Sequence, residues 1–157
     1  MTGRRVFLTG GSGFVGRRLL TELAAAGHQL VALDHSGRLG ALAASGIEIV
    51  HADLLEPAGY RDALAGCDMV LHLAAATGRA PAAEHHRINA RGTETLVSEA
   101  RLAGIANFLF VSSIAVSFPD LRGYHYAQSK QQAEELLKNE VGCSQERPHD
   151  GRDRNHD

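Results

Sequence analysis

The sequence predicts an α/β fold: a doubly wound parallel sheet with helices on both faces and strand order 3-2-1-4-5. Three observations predict it. Short apolar runs and helix-patterned segments alternate five times along the chain. The runs are apolar throughout, which is how strands read when both faces of their sheet are covered. TGGSGFVG, residues 9–16, then sets glycines between the first run and the first helix. Right-handed crossovers leave few other strand orders.

In chain order, the first strand covers Arg4 to Leu8 and the first helix runs from about Gly13 to Ala26. Val15, Leu19, Leu20 and Leu23 recur at helical spacing, and Gly27 suits the C-cap. Gln29 to Leu33 form the second strand, a short helix follows over Leu39 to Ala44, and IEIV is the third strand. A small helix near Tyr60 to Ala65 precedes the fourth strand, Met69 to Leu73. One long helix is expected over Ala82 to Leu102, a fifth strand over Phe108 to Ser112, and a final helix from Tyr126 to about Glu140. The organised domain spans residues 1–142. Residues 143–157 are polar, lack periodicity and read as a disordered tail.

Composition narrows the function classes. With 157 residues, 44% of them hydrophobic, the chain fits one domain with its own core. Sixteen basic and 18 acidic residues are interspersed and sum to a net charge of −2. That argues against a nucleic-acid footprint and a polybasic membrane surface. No apolar run approaches the ~18 residues of a membrane span, and residues 1–10 lack the apolar region of a signal peptide. Cys67 and Cys143 make neither a disulfide scaffold nor a metal motif, so a reducing, cytoplasmic setting is expected. The histidines are not at metal-ligand spacing, and no metal is expected.

The glycine loop carries the first chemistry. Gly10 permits a tight turn, Gly13 lets a pyrophosphate approach the backbone, and Gly16 allows close helix packing. Phe14 and Val15 open the helix, whose unpaired N–H groups point at phosphates. Asp34 ends the second strand 18 residues beyond Gly16. A carboxylate there can accept the ribose hydroxyls of NAD and repel the 2′-phosphate of NADP, so NAD is the expected cofactor. Arg38 could offset that repulsion, and Asp34 could instead be a turn-forming acid before Ser36-Gly37. Asp53, beside Leu54, either reaches the adenine edge or caps its turn. Leu73, Ala74 and Ala75 end the fourth strand with room for a dinucleotide, and His72 reads as a packed histidine.

The second chemistry comes from a serine, a tyrosine and a lysine. Ser112 and Ser113 close the fifth strand, where ligands bind in open sheets. Tyr126 and Lys130 share one helical face at i,i+4. A phenol with an ordinary pKa near ~10 is a poor base at neutral pH; a neighbouring ammonium favours the phenolate. Such a tyrosine can take a proton from an alcohol or give one to a carbonyl. Lys130 can also hold a ribose hydroxyl, and Ser113 can hold the substrate oxygen. Tyr124 competes for the role, but Gln128 stands four residues beyond it. Asn89 either bonds near the site or is a polar surface residue.

TGGSGFVG, Asp34, HADL (51–54), HLAA (72–75), INARGTETL (88–96), FVSS (110–113) and YAQSK (126–130) together resemble the extended short-chain dehydrogenase/reductase superfamily, in its NAD-dependent epimerase/dehydratase branch. The resemblance covers about residues 3–140. It implies a Rossmann fold, bound NAD and a small alcohol/carbonyl substrate such as a sugar nucleotide or ketone. It implies Ser113, Tyr126 and Lys130 as catalytic triad with Asn89 in support, and Asp53 with Leu54 near the adenine. Two departures stand out. Only 13 residues separate Ser113 from Tyr126, with Ser117-Phe118 where the family has a Tyr-Gly pair. The family's chain also continues past this point to supply further strands and most of the substrate-binding part, so this one reads as truncated at its C-terminus. Packing of the last helix in a homodimer would then substitute for missing neighbours. Three functions follow: an NAD-dependent oxidoreductase or epimerase, a non-catalytic NAD-binding module, or a subunit whose pocket a partner completes.

Overall fold

The computed structural model describes residues 3–143. Apart from its first residue, the expected polar tail lies outside the described residues. Five strands form one parallel sheet in the order β3-β2-β1-β4-β5. They are β1 (Arg5–Thr9), β2 (Gln29–Leu33), β3 (Glu48–Val50), β4 (Met69–His72) and β5 (Asn107–Phe110). This is the 3-2-1-4-5 order that the sequence predicts. β1 lies central, with Phe7 level with Val31 on one side and Val70 on the other.

Strand alternation splits the core into two layers. On one face Phe7, Val31, Leu33 and Val70 pack with Leu64 of α2 (Arg61–Leu64) and Leu96 and Ala100 of α4 (Gly92–Leu102). On the other face Val6, Leu8, Leu30, Ala32 and Leu71 pack with Leu20 of α1 (Phe14–Ala25) and Leu39. With both faces covered, an apolar residue is favourable at every strand position, and each fully buried one contributes about 1.5–3 kcal/mol. Arg61 makes a bidentate pair with Glu99 at 2.6 and 2.8 Å, tying α2 to α4.

Three expected elements differ. The single helix over Ala82–Leu102 is α3 (Ala82–His85), a π-helical turn (His86–Arg91) and α4 in succession. The wider turn lets adjacent Asn89 and Ala90 both face inward, at 0% and 2% exposure. β5 stops at Phe110, because Ser113 caps a 3-10 turn (Ile114–Ser117) and turns the chain away. The helix expected at Leu39–Ala44 is a 3-10 turn, Gly40–Ser45. The last helix, α5 (His125–Cys143), begins one residue before Tyr126.

Candidate functional site

Between β1 and β4 the chain's crossovers diverge to opposite sides of the sheet, and a crevice opens at the strands' C-terminal ends. Gly10 stands at its floor with φ +77°, and an added Cβ would lie 2.6 Å from the Ala74 nitrogen. Only glycine lets the two strand ends approach this closely. Gly16 is packed the same way: an added Cβ would fall 2.2 Å from the Gly10 carbonyl oxygen. Gly13 is different, since a Cβ there would meet nothing nearer than that oxygen at 3.4 Å. Its open face lines a cleft of about 480 Å³. That is the volume of a small-molecule site, with the positive end of α1 at its edge. A glycine-edged cleft at a helix start fits a pyrophosphate. Phe14 is 94% exposed and Val15 55%, so these two can contribute backbone N–H groups but no side chain to the cleft.

The far end of the cleft is lined by Ser36, Arg38, Asp53 and Leu54. Asp53 does both things open to it: it lines the cleft, and its carboxylate accepts from the Leu55 N–H at 2.8 Å. Asp34 takes the turn-forming role. Its carboxylate accepts from the Ser36 N–H and hydroxyl at 3.0 and 2.8 Å and from the Leu39 N–H at 2.9 Å, and its side chain is fully buried. Burial pushes its pKa up, but these hydrogen bonds outweigh burial and hold it below the usual range. The 35–39 turn thus encloses the Asp34 carboxylate and leaves its charge beneath the cleft wall. Leu73, Ala74 and Ala75 also line the cleft.

Beneath this wall runs a buried network whose polarity is fixed. Thr93 donates to the Asn89 carbonyl at 2.6 Å, so its oxygen accepts from His72 Nε2–H at 2.9 Å. His72 Nδ1 then accepts from the Thr9 hydroxyl at 2.6 Å, and Thr9 accepts from the Ala74 N–H. His72 is packed, as expected, with no exposed surface. Burial first and the Lys130 charge second push its pKa down to about 3. Asn89 is no surface residue. Its carbonyl accepts from the Ala76 N–H at 2.7 Å, and its amide donates to the Ala76 carbonyl and the Ser129 hydroxyl. Ser129 donates in turn to the Tyr126 carbonyl at 2.7 Å. One unbroken set of bonds thus joins the glycine-loop strand to the helix that bears Tyr126 and Lys130.

Lys130 is 2% exposed. It donates to the Val111 carbonyl at 2.8 Å and lies 4.4 Å from the centre of the Phe110 ring. Burial lowers its pKa to about 8. Tyr126 is half-buried one helical turn earlier. Ser113 accepts from the Ala115 N–H at 3.2 Å, which leaves its own proton free to donate. Among the described residues, Ser112 is the buried hydroxyl without a hydrogen-bond partner. Sequence reasoning missed His85, which is 3% exposed, donates from Nδ1 to the Ala76 carbonyl at 3.1 Å and packs edge-on to Tyr126. Its only signal was proximity to the Asn89 motif. Among the described residues no cluster of metal-ligating side chains occurs, and no helix is long and apolar enough to cross a membrane.

Comparison with known proteins places these features in a family. The NAD(P)H-binding family profile matches residues 10–143. A ketoreductase of Stigmatella aurantiaca that acts on 4-hydroxy-2-methyl-3-oxo-4-farnesyl-3,4-dihydroquinoline-1-oxide is 41% identical over 114 residues, covering 71% of this chain and 34% of that protein. A short-chain dehydrogenase/reductase superfamily protein from Agrobacterium tumefaciens with bound NAD superposes with TM-score 0.74 at 27% identity, over 86% of this chain and 44% of the other. UDP-glucose 4-epimerase from Brucella ovis in complex with NAD gives TM-score 0.76 at 25% identity, over 89% and 48%. The chain spans about one third of the length of the first three curated relatives it matches. With a 3-2-1-4-5 parallel sheet, a glycine-edged crevice at its switch point and this profile over most of its length, the chain belongs to the NAD(P)H-binding family of the extended short-chain dehydrogenase/reductase superfamily.

Proposed function

We propose that the chain binds NAD and carries the proton-transfer half of an alcohol/carbonyl oxidoreductase or epimerase. The observation that carries this reading is the placement of Lys130. Its ammonium is buried against the end of β5, one helical turn from Tyr126 on the same face of α5. Both residues thus stand at the strand ends, where ligands bind in open parallel sheets. When bound, the nicotinamide would supply or accept the hydride. Tyr126 would move the proton to or from the substrate oxygen, and Ser113 would donate a hydrogen bond to that oxygen. Lys130 would hold a ribose hydroxyl. Gly13 and the N–H groups of Phe14 and Val15 would seat the pyrophosphate, and Asp53, Leu54, Leu73, Ala74 and Ala75 the adenosine side. The buried Asp34 charge would disfavour a 2′-phosphate, with Arg38 on the cleft lining opposing it.

A second reading is dinucleotide binding without turnover, or turnover only with a partner chain or in a homodimer. Titration with NADH and NADPH, followed by assay of Tyr126→Phe, decides. NADH binding preserved in the variant with turnover abolished supports the first reading. Binding without turnover in the parent supports the second. Unchanged turnover in the variant removes Tyr126 from its role.

A further inference from the structure

We infer that His35 and His51 tune the choice between NAD and NADP, and that this choice moves with pH: the dinucleotide bearing a 2′-phosphate gains as the two imidazoles take up protons. This inference rests on the proposed seating of the adenosine side beside Asp53 and the Asp34 turn. Two histidines stand against two aspartates at this end of the cleft. His35 follows Asp34 directly, lines the cleft and brings Nδ1 within 3.9 Å of the Asp53 carboxylate. His51 follows β3 and brings Nδ1 within 3.9 Å of the Asp34 carboxylate. The pairs cross between the segments that follow β2 and β3, so each segment supplies the histidine for the other's acid. The Asp34 N–H donates to the Val50 carbonyl at 2.9 Å, which holds the two segments side by side. Each contact becomes an ion pair only when its imidazole carries a proton. The imidazoles are 78% and 63% exposed, so both exchange protons with solvent.

The charges give the direction. With both imidazoles neutral, the carboxylates of Asp34 and Asp53 stand with one guanidinium, that of Arg38, for a net charge of −1. Two protons turn that to +1. Arg17 of α1 donates to the Arg38 carbonyl at 3.1 Å, and Glu84 and Arg87, also on the cleft, pair with each other at 3.0 Å. Histidine is the side chain that changes charge between about pH 5 and 8; carboxylates and guanidinium groups keep theirs there. A phosphate monoester carries about −1.5 to −2 charges at pH 7. A 2′-phosphate is therefore repelled by the −1 end and attracted by the +1 end. The pyrophosphate is common to both dinucleotides and cancels from the ratio of their affinities.

The test is calorimetric titration of the full chain with oxidised NAD and NADP at about pH 8 and about pH 6 and low ionic strength. It compares the parent with a double variant, His35→Gln with His51→Gln. Both side chains are largely exposed, so glutamine at either place disturbs no core packing. The 2′-phosphate itself loses negative charge as pH falls through about 6; this is common to both proteins, so the difference between them reports the histidines. From pH 8 to pH 6 the NADP-to-NAD affinity ratio should rise about threefold to tenfold more in the parent than in the double variant. Each single variant should lose part of that rise, and a rise left whole in either would strike its histidine from the assignment. A ratio that changes equally in parent and double variant would overturn the inference and leave the dinucleotide site standing. So would a parent that binds NAD but not NADP at pH 6. Failure of both dinucleotides to bind the parent at either pH would remove the proposed function, and the inference with it.

Discussion

Gly13 and Gly16 stand three residues apart in one motif, and the structure predicts opposite consequences for the same substitution. In Gly13→Ala the new Cβ meets only the Gly10 oxygen, at 3.4 Å, and the backbone at φ −76°, ψ 170° is open to any residue. Replacing glycine at a compatible position gains about 0.4–1 kcal/mol from the unfolded chain. Alanine is a poorer N-cap than glycine, by roughly 0.5–1 kcal/mol. The two offset, so stability should stay within about 0.5 kcal/mol of the parent. The methyl group nevertheless fills the cleft where a pyrophosphate must approach, and NADH affinity should fall at least about tenfold, or ~1.4 kcal/mol. In Gly16→Ala the Cβ lies 2.2 Å from the Gly10 oxygen and 2.8 Å from the Gly11 Cα, both backbone atoms that cannot swing aside. Overpacking then reaches or exceeds ~3 kcal/mol. Helix propensity returns about 1 kcal/mol. The net loss of about 2 kcal/mol should lower Tm by about 4–8 °C. Thermal unfolding by circular dichroism and NADH fluorescence titration measure the two effects. A Gly13→Ala protein that binds NADH within twofold of the parent would refute the reasoning.

Three other outcomes are expected. Burial lowers the Lys130 pKa to about 8 from 10.5, so between those values the unfolded state holds the proton more tightly and stability rises with pH, by up to about 3 kcal/mol. Denaturant titrations at pH 8 and 10.5 should show this rise in the parent and lose it in Lys130→Met; equal slopes in both proteins would exclude Lys130 as its source. His72 is held neutral by burial, so its contribution is complete above about pH 6.5 and is lost as pH falls towards about 3. Nitrogen NMR should find its proton on Nε2, and a signal for the Nδ1–H form would contradict the bond polarity derived from Thr9 and Thr93. Asp34→Asn sets an amide against donors that now face a carboxylate, at a cost of about 1–3 kcal/mol. It also removes the charge beneath the cleft wall, so NADPH should gain on NADH in paired titrations; an unaltered ratio would mean that this charge does not select the cofactor.

The sequence by itself determined the sheet order, the glycine crevice and the shared face of Tyr126 and Lys130. Each is written in local pattern: apolar runs of strand length, glycines at the strand-to-helix turn, a four-residue spacing on a helix. Tertiary structure decided the rest, because its causes lie far apart in the chain. Thr9 and His72 are 63 residues apart, and only their contact fixes the tautomer and makes the histidine a strut of the site. Asn89 became a bridge between Ala76 and Ser129, 13 and 40 residues away, through a π-helical turn that apolar periodicity does not encode. Asp34 illustrates the limit in the other direction. Its position at the end of β2 was legible, but whether its carboxylate faces a ligand or its own turn depends on where the 35–39 backbone places its N–H groups. The edge-on contact of His85 with Tyr126 likewise exists only once α3 and α5 are packed together, since ring proximity is set by packing and not by spacing along the chain.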